Sequence, residues 1–146
     1  MKILSDEDTI WYELMERLTA LGAPYGCSFA SFPHRYRGRR IPDEQVPEIC
    51  RSEDAAALIT INFKDFASEL VYLQALLDSG VSVIVLRQPN SRVVTPDVDY
   101  QVALIEPHLR YIVRQLERTD EPLLFVINKS GRRVQRVQDL LDRRSA

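Results

Sequence analysis

Short apolar runs alternate along the chain with longer segments in which apolar residues recur every three or four positions. Apolar runs of roughly four to eight residues are typical of strands, and continuous runs are typical of strands buried on both faces of a sheet. The run at 55–61 is the clearest of these. The predicted strands are 1–5, 26–32, 55–61, 81–86 and 123–127, with a short edge strand around 134–137.

The segments between these strands have the periodicity of amphipathic helices. In the first, 9–21, Leu14, Leu18 and Leu21 fall on one side, Thr9 is a candidate N-cap, and Gly22 ends the helix. Three further helices are predicted over 43–51, 66–79 and 97–118.

Strands and helices therefore alternate, which is typical of a three-layer α/β/α domain with a mostly parallel central sheet. The 146 residues, 45% of them hydrophobic, have the usual size of one domain with a real core. We expect residues 1–146 to form a single α/β domain, with 139–146 as a C-terminal tail.

Charge is distributed unevenly although the net charge is only -2. Arginine outnumbers lysine sixteen to three, and Arg35, Arg37, Arg39 and Arg40 fall within six residues. Arginine suits bidentate phosphate contacts, and Tyr36 within this run could stack on a base. These four arginines are a candidate nucleic-acid surface; a solvated loop and a codon preference for arginine are the alternatives.

Neither the cysteines nor the termini indicate secretion or a membrane. Cys27 and Cys50 are far apart and lack Cys or His neighbours at ligand spacing, so we expect reduced thiols. His34 and His108 have no such partners either, and we expect surface or packing roles. The N-terminus lacks the apolar core of a signal peptide and no stretch has the length of a membrane span, so a cytoplasmic protein is expected.

Three acidic clusters stand where a predicted strand ends or a predicted helix begins. They are Asp6 with its neighbours Glu7 and Asp8, then Asp43 with Glu44, and Asp65. The carboxyl ends of parallel strands meet at one edge of a sheet, where carboxylates repel one another unless a divalent cation lies among them. The pattern predicts an Mg²⁺ or Mn²⁺ site that handles phosphate. Helix capping is an equal alternative for Asp43 and Glu44.

Three blocks of this chain, at 3–8, 38–46 and 58–66, resemble the signature blocks of short bacterial PIN-like proteins. In that family a strand ends in Asp-Glu-Asn, a helix starts with Gly-x-x-Asp-Glu-Glu, and a later strand ends in Thr-x-Asp-x-Asp-Phe. The similarity covers the first half of the chain in the same order and continues through the strand at 81–86.

The resemblance implies a PIN-like fold and an Mg²⁺- or Mn²⁺-dependent ribonuclease, found most often as the toxin of a toxin–antitoxin pair. RNA would be the substrate and an antitoxin protein the partner. By position, Asp6 and Asp43 would bind metal, Asp65 would be the acid of the third block, and Glu44 would ligate metal or orient a water. Asn62 departs from the pattern, because it stands where the family has an aspartate. Its amide can ligate a metal but supplies no charge and cannot act as a base.

Two other functions are compatible with the residues. A catalytically weakened or silent PIN-like module would act in binding or regulation, as a homodimer or with a partner protein, and Asn62 favours this alternative. A receiver-like phosphoacceptor domain would use Asp6, Glu7 and Lys129. In that case Asn62 occupies the acceptor position and Asp65 is displaced by three residues.

Overall fold

The computed structural model describes residues 1–5, 12–32, 45–62, 70–87, 98–129 and 131–136. Six strands and five helices lie within these ranges. In chain order they are β1 (Lys2–Ser5), α1 (Tyr12–Gly22), β2 (Ser28–Ser31), α2 (Val46–Ser52), β3 (Ala57–Asn62), α3 (Leu70–Asp78), β4 (Ser82–Arg87), α4 (Val98–Ile105), α5 (Leu109–Arg118), β5 (Leu123–Asn128) and β6 (Gly131–Arg136).

The strands form one sheet in the order β2-β1-β3-β4-β5-β6. Neighbouring strands from β2 to β5 are parallel, and β6 runs antiparallel to β5 at the edge. The predicted α/β class and mostly parallel sheet are therefore confirmed. The first five predicted strands are found within one or two residues of their expected bounds, and β6 begins three residues earlier than expected.

Two apolar clusters lie on opposite faces of the sheet because successive strand residues point to opposite sides. Ile59 and Phe125 belong to the cluster that packs under α1, α4 and α5. Leu58 and Leu124, one position earlier on the same strands, belong to the cluster that packs under α2 and α3. All four residues are buried. Helices thus cover both faces, which is the expected three-layer arrangement.

The connection from β4 to β5 differs in hand from the other three crossovers. α1 joins β1 to β2 on one face, whereas α2 and α3 carry the chain the other way along the sheet and lie on the opposite face. α4 and α5 continue in the direction of α3 but pack on the face of α1. Their crossover therefore has the opposite hand, which is rare in parallel sheets. It brings α4 beside α1, where Arg17 forms an ion pair with Asp99.

The helix predicted over 97–118 is divided in two. A 3₁₀ turn, Glu106–His108, separates α4 from α5. Pro107 lies in this turn, and because proline lacks an N–H group it removes one helical hydrogen bond. In the part of the chain that the structure describes, no helix is long and apolar enough to cross a membrane.

Candidate functional site

The carboxyl ends of the parallel strands define the edge where a ligand site is expected. From β1 the chain crosses to β2 on one side, and from β3 it proceeds to β4 and β5 on the other. The point between β1 and β3 is therefore a topological switch point, outside which open α/β sheets bind their ligands. Ser5, the last residue of β1, pairs in register with Ile59 of β3. Paired strands lie about 4.8 Å apart, and β3 continues three residues beyond this pair, to Asn62.

The strand ends at this switch point precede two of the predicted acids, Asp6 after β1 and Asp65 after β3. Asp6 directly follows Ser5, and Asn62 is the last residue of β3. Asn62 is described through its backbone. The other predicted residues lie outside the described residues; they are Asp6, Asp43, Glu44 and Asp65 of the catalytic and metal set, and Arg35, Arg37, Arg39 and Arg40 of the nucleic-acid set.

Arg87 is a cation at this edge that sequence reasoning did not single out. It is the last residue of β4, and its Cα pairs in register with that of Asn62. The sequence signal was present, since Arg87 directly follows the apolar run at 81–86. What the sequence lacked was the register that sets this arginine beside Asn62.

Two hydroxyl residues near the edge are buried rather than displayed. Ser5 ends β1 and is 3% exposed, and Thr60 lies two positions before the end of β3 and is 7% exposed. Both contribute to the packed part of the sheet beneath the edge.

The described residues do not include a set of side chains that could form a metal site by themselves. Among them, no three His, Cys, Asp or Glu side chains lie close enough to share a metal ion. The predicted ligands Asp6, Asp43 and Asp65 are not part of that set, so the prediction of a metal site is untouched by this finding.

A separate open pocket of about 410 Å³ lies between α1 and the outer edge of β2. Its described lining residues are Met15, Glu16, Thr19, Phe29, Ala30, Ser31 and Phe32. The Thr19 hydroxyl accepts the Phe29 N–H at 2.9 Å and donates to the Phe29 carbonyl at 3.1 Å, so it satisfies this part of the strand edge. Glu16 is the one acid among these residues. A single carboxylate does not fit a divalent cation, which takes several oxygen ligands.

The two cysteines have no part in this edge. Cys27 and Cys50 are buried and neither is in a disulfide, in agreement with the expected reduced thiols. Burial raises the pKa of Cys27 to about 11, although the positive N-terminus acts in the opposite direction. A thiol with that pKa is almost wholly protonated near neutral pH and is a poor nucleophile.

The candidate site is therefore the carboxyl edge at β1 and β3, whose described strand ends are Ser5 and Asn62, with Arg87 at the end of the neighbouring β4. No family model, curated protein or solved structure matches this chain.

Proposed function

We propose that this chain is a metal-dependent endoribonuclease of the PIN-like type that acts in the cytoplasm as the toxin of a toxin–antitoxin pair. One observation supports the proposal above the others. β1 and β3 are parallel neighbours at a topological switch point, and they are the strands that precede Asp6 and Asp65. Carboxylates that follow two adjacent strand ends are well placed along the chain to share a cation.

The donor types fit Mg²⁺ or Mn²⁺. Asp6, Asp43 and Asp65 would supply carboxylate oxygens, and Asn62 would supply a neutral carbonyl oxygen; hard cations prefer such ligands. When bound, the cation would activate a water and neutralise charge on the scissile phosphate.

The chain's own residues would divide the remaining work of hydrolysis. The attacking water forms a bond to phosphorus, and the bond between phosphorus and the 3′ oxygen breaks. Glu44 would orient that water and take its proton, while the leaving 3′ oxygen takes up a proton to become a hydroxyl. Arg87, at the end of β4, would be available to neutralise the phosphate.

A silent PIN-like module is the second candidate, and Asn62 is the observation that favours it. A neutral amide in place of a carboxylate lowers the charge of the ligand set, which weakens cation binding. Such a module would act by binding RNA or a partner protein, or as a homodimer.

A receiver-like phosphoacceptor is the weakest candidate. The order of the first five strands and the position of Lys129 after β5 suit it. Two features oppose it. Asn62 cannot accept a phosphoryl group, and in a doubly wound sheet with uniform crossovers the β4–β5 helix would lie on the face of α2 and α3.

The test is cleavage of a panel of structured and unstructured RNAs and single-stranded DNA with Mn²⁺, Mg²⁺ or EDTA. We expect metal-dependent cutting of RNA that is lost in Asp6→Asn. Asp99→Asn is the matched control, because Asp99 is an exposed acid of α4 outside the predicted site. Cutting by Asp6→Asn at the wild-type rate would refute the site. No cutting by wild type with any metal, and recovery in Asn62→Asp, would establish the silent module.

A further inference from the structure

Arg132 of β6 is an exposed arginine whose side chain is already fixed. Its guanidinium lies 3.8 Å from the centroid of the Tyr111 ring, and its Nη1 lies 3.0 Å from Nδ1 of His108. A guanidinium can only donate, so Nδ1 of His108 accepts and must be unprotonated. Burial and the charge of Arg132 both lower the pKa of His108, which favours that neutral ring. A fixed side chain loses little further freedom when it binds a ligand.

Three more arginines form a stripe along α5. Arg110, Arg114 and Arg118 are spaced by four residues, so they lie on one side of the helix, about 6 Å apart along its axis. All three are exposed. The acid of the same helix, Glu117, lies three residues after Arg114 and therefore on the same side of α5, and it is also near enough to Cys27 to raise the pKa of that thiol.

None of these four arginines forms an ion pair with an acid in the part of the chain that the structure describes. The ion pair between Arg17 and Asp99 lies elsewhere, on α1 and α4. Arg110, Arg114, Arg118 and Arg132 thus have no described carboxylate within 4.0 Å. We call these four residues the arginine surface. Its two elements, α5 and β6, are in contact through Arg132 and Tyr111.

We propose that the arginine surface binds the phosphate backbone of a single-stranded RNA. Planar guanidinium groups suit bidentate phosphate contacts, and their spacing along α5 is comparable with that of successive phosphates in an extended strand. The surface also lacks the apolar core that a stable protein interface has. Neither of the large apolar side chains that are exposed in the described chain, Met1 and Tyr25, belongs to it.

The surface begins near the edge that holds the candidate site. Arg132 pairs in register with Ile127, one residue before the carboxyl end of β5. β6 is three strands away from β3, or about 14 Å across the sheet. An RNA strand cut at β1 and β3 could therefore continue over β4 and β5 to the arginine surface. This inference rests on the proposed ribonuclease function for its choice of ligand.

The test measures binding of a fluorescent single-stranded RNA in EDTA, which prevents metal-dependent cleavage, over a series of salt concentrations. We compare Arg114→Ala/Arg132→Ala with the control Arg51→Ala/Arg133→Ala. The control also removes two exposed arginines. Arg51 belongs to α2, and Arg133 follows Arg132 in β6 and points to the opposite face of the sheet. Each phosphate contact on a single strand contributes about 0.7 to the slope of log affinity against log salt, so the first variant should lower the slope by about 1.4. Its affinity should fall at least about tenfold, and the control should bind like wild type.

A third variant, Arg132→Lys, keeps the charge but loses the flat group on Tyr111, and it should weaken binding by less than the double variant. Equal losses in both double variants, no loss in Arg114→Ala/Arg132→Ala, or no RNA binding by wild type would overturn the inference. The inference would also be overturned if an acidic peptide bound through these arginines and RNA did not bind. Arginine-dependent RNA binding without cleavage would refute the proposed function alone, and Asp6-dependent cleavage with unchanged binding would refute this surface alone.

Discussion

The edge at β1 and β3 and the arginine surface lie in different parts of the molecule and differ in chemistry. The first follows strand ends that lead into carboxylates, and the second presents four guanidinium groups that form no ion pair with a described acid. Carboxylates that bind a cation can perform hydrolysis but repel the phosphates of the substrate. Arginines hold phosphates but do not activate water. Under the proposed function the two regions would have separate tasks, cleavage and retention of RNA.

If the two tasks are separate, substitutions in the two regions should affect different measured properties. A change at the β1–β3 edge should alter the rate of cleavage and the response to metal, and should leave affinity in EDTA alone. A change on the arginine surface should do the reverse. The comparison fails if either kind of change affects both properties while the fold is intact.

The largest expected effect comes from the core that both regions share. Phe125 of β5 is fully buried under α5, on the strand between β4 and β6. Phe125→Ala should lower the free energy of unfolding by about 3–5 kcal/mol, as measured by urea denaturation, and RNA binding and metal response should be lost together as urea is raised. Two separate transitions would show that the regions do not share one core. Phe125→Leu, which keeps more of the volume, is the milder control.

Asp6→Asn should give the next largest effect, confined to one region. We expect cleavage to fall more than about 100-fold, because even the outer partners of metal ligands are typically worth 10–100-fold. RNA affinity in EDTA should stay unchanged. Single-turnover cleavage and fluorescence anisotropy measure the two quantities. A parallel loss of affinity would contradict the division of tasks.

Asn62→Asp should strengthen metal binding at the β1–β3 edge. Adding a carboxylate at the end of β3 raises the charge of the ligand set, so Mn²⁺ should bind about tenfold more tightly. Calorimetric titration gives the affinity, and cleavage should rise with it. The salt dependence of RNA binding should not change. Weaker Mn²⁺ binding in this variant would remove Asn62 from the metal site.

The smallest effect concerns His108, which fixes the arginine surface. Its pKa in the folded protein is lowered by burial and by Arg132, so the unfolded chain takes up the proton first as pH falls. The stabilisation from the neutral ring is therefore complete above the ordinary value of 6.5 and is lost as pH falls through the lower folded value. Between pH 6.5 and that lower value, wild type should lose stability more steeply than His108→Gln, whose amide oxygen can still accept from Arg132. Equal slopes in acid denaturation would contradict this.

Much of the fold could be predicted from the sequence because apolar runs report strands directly. The run at 55–61 predicted β3, and the run at 81–86 predicted β4. The break at Glu106–His108 was missed although Pro107 is visible, because the apolar periodicity continues on both sides of it. The hand of the β4–β5 crossover could not be predicted from the sequence, because it depends on which face of the sheet α4 and α5 cover.

The candidate site divides in the same way. The switch point beside Asp6 follows from local pattern and strand alternation, so sequence could suggest it. The pairing of Asn62 with Arg87 and the contacts of Arg132 with Tyr111 and His108 depend on register and packing between distant segments. Arg132 and Arg133 are neighbours in the sequence, but successive residues of a strand point to opposite faces of the sheet. Arg132 therefore contacts α5 and Arg133 does not, and this difference could not be seen without the structure of the sheet.

The central claim is that a divalent cation binds at the carboxyl ends of β1 and β3, and its most direct test does not require activity. Substoichiometric Mn²⁺ is added to ¹⁵N-labelled protein, and paramagnetic broadening of backbone amide signals is recorded. We expect the signals of Ser5 and Asn62 to broaden first and those of Val134 in β6 to persist, with no such broadening of Ser5 and Asn62 in Asp6→Asn. Broadening centred on Glu16, or none at Ser5 and Asn62, would contradict the account.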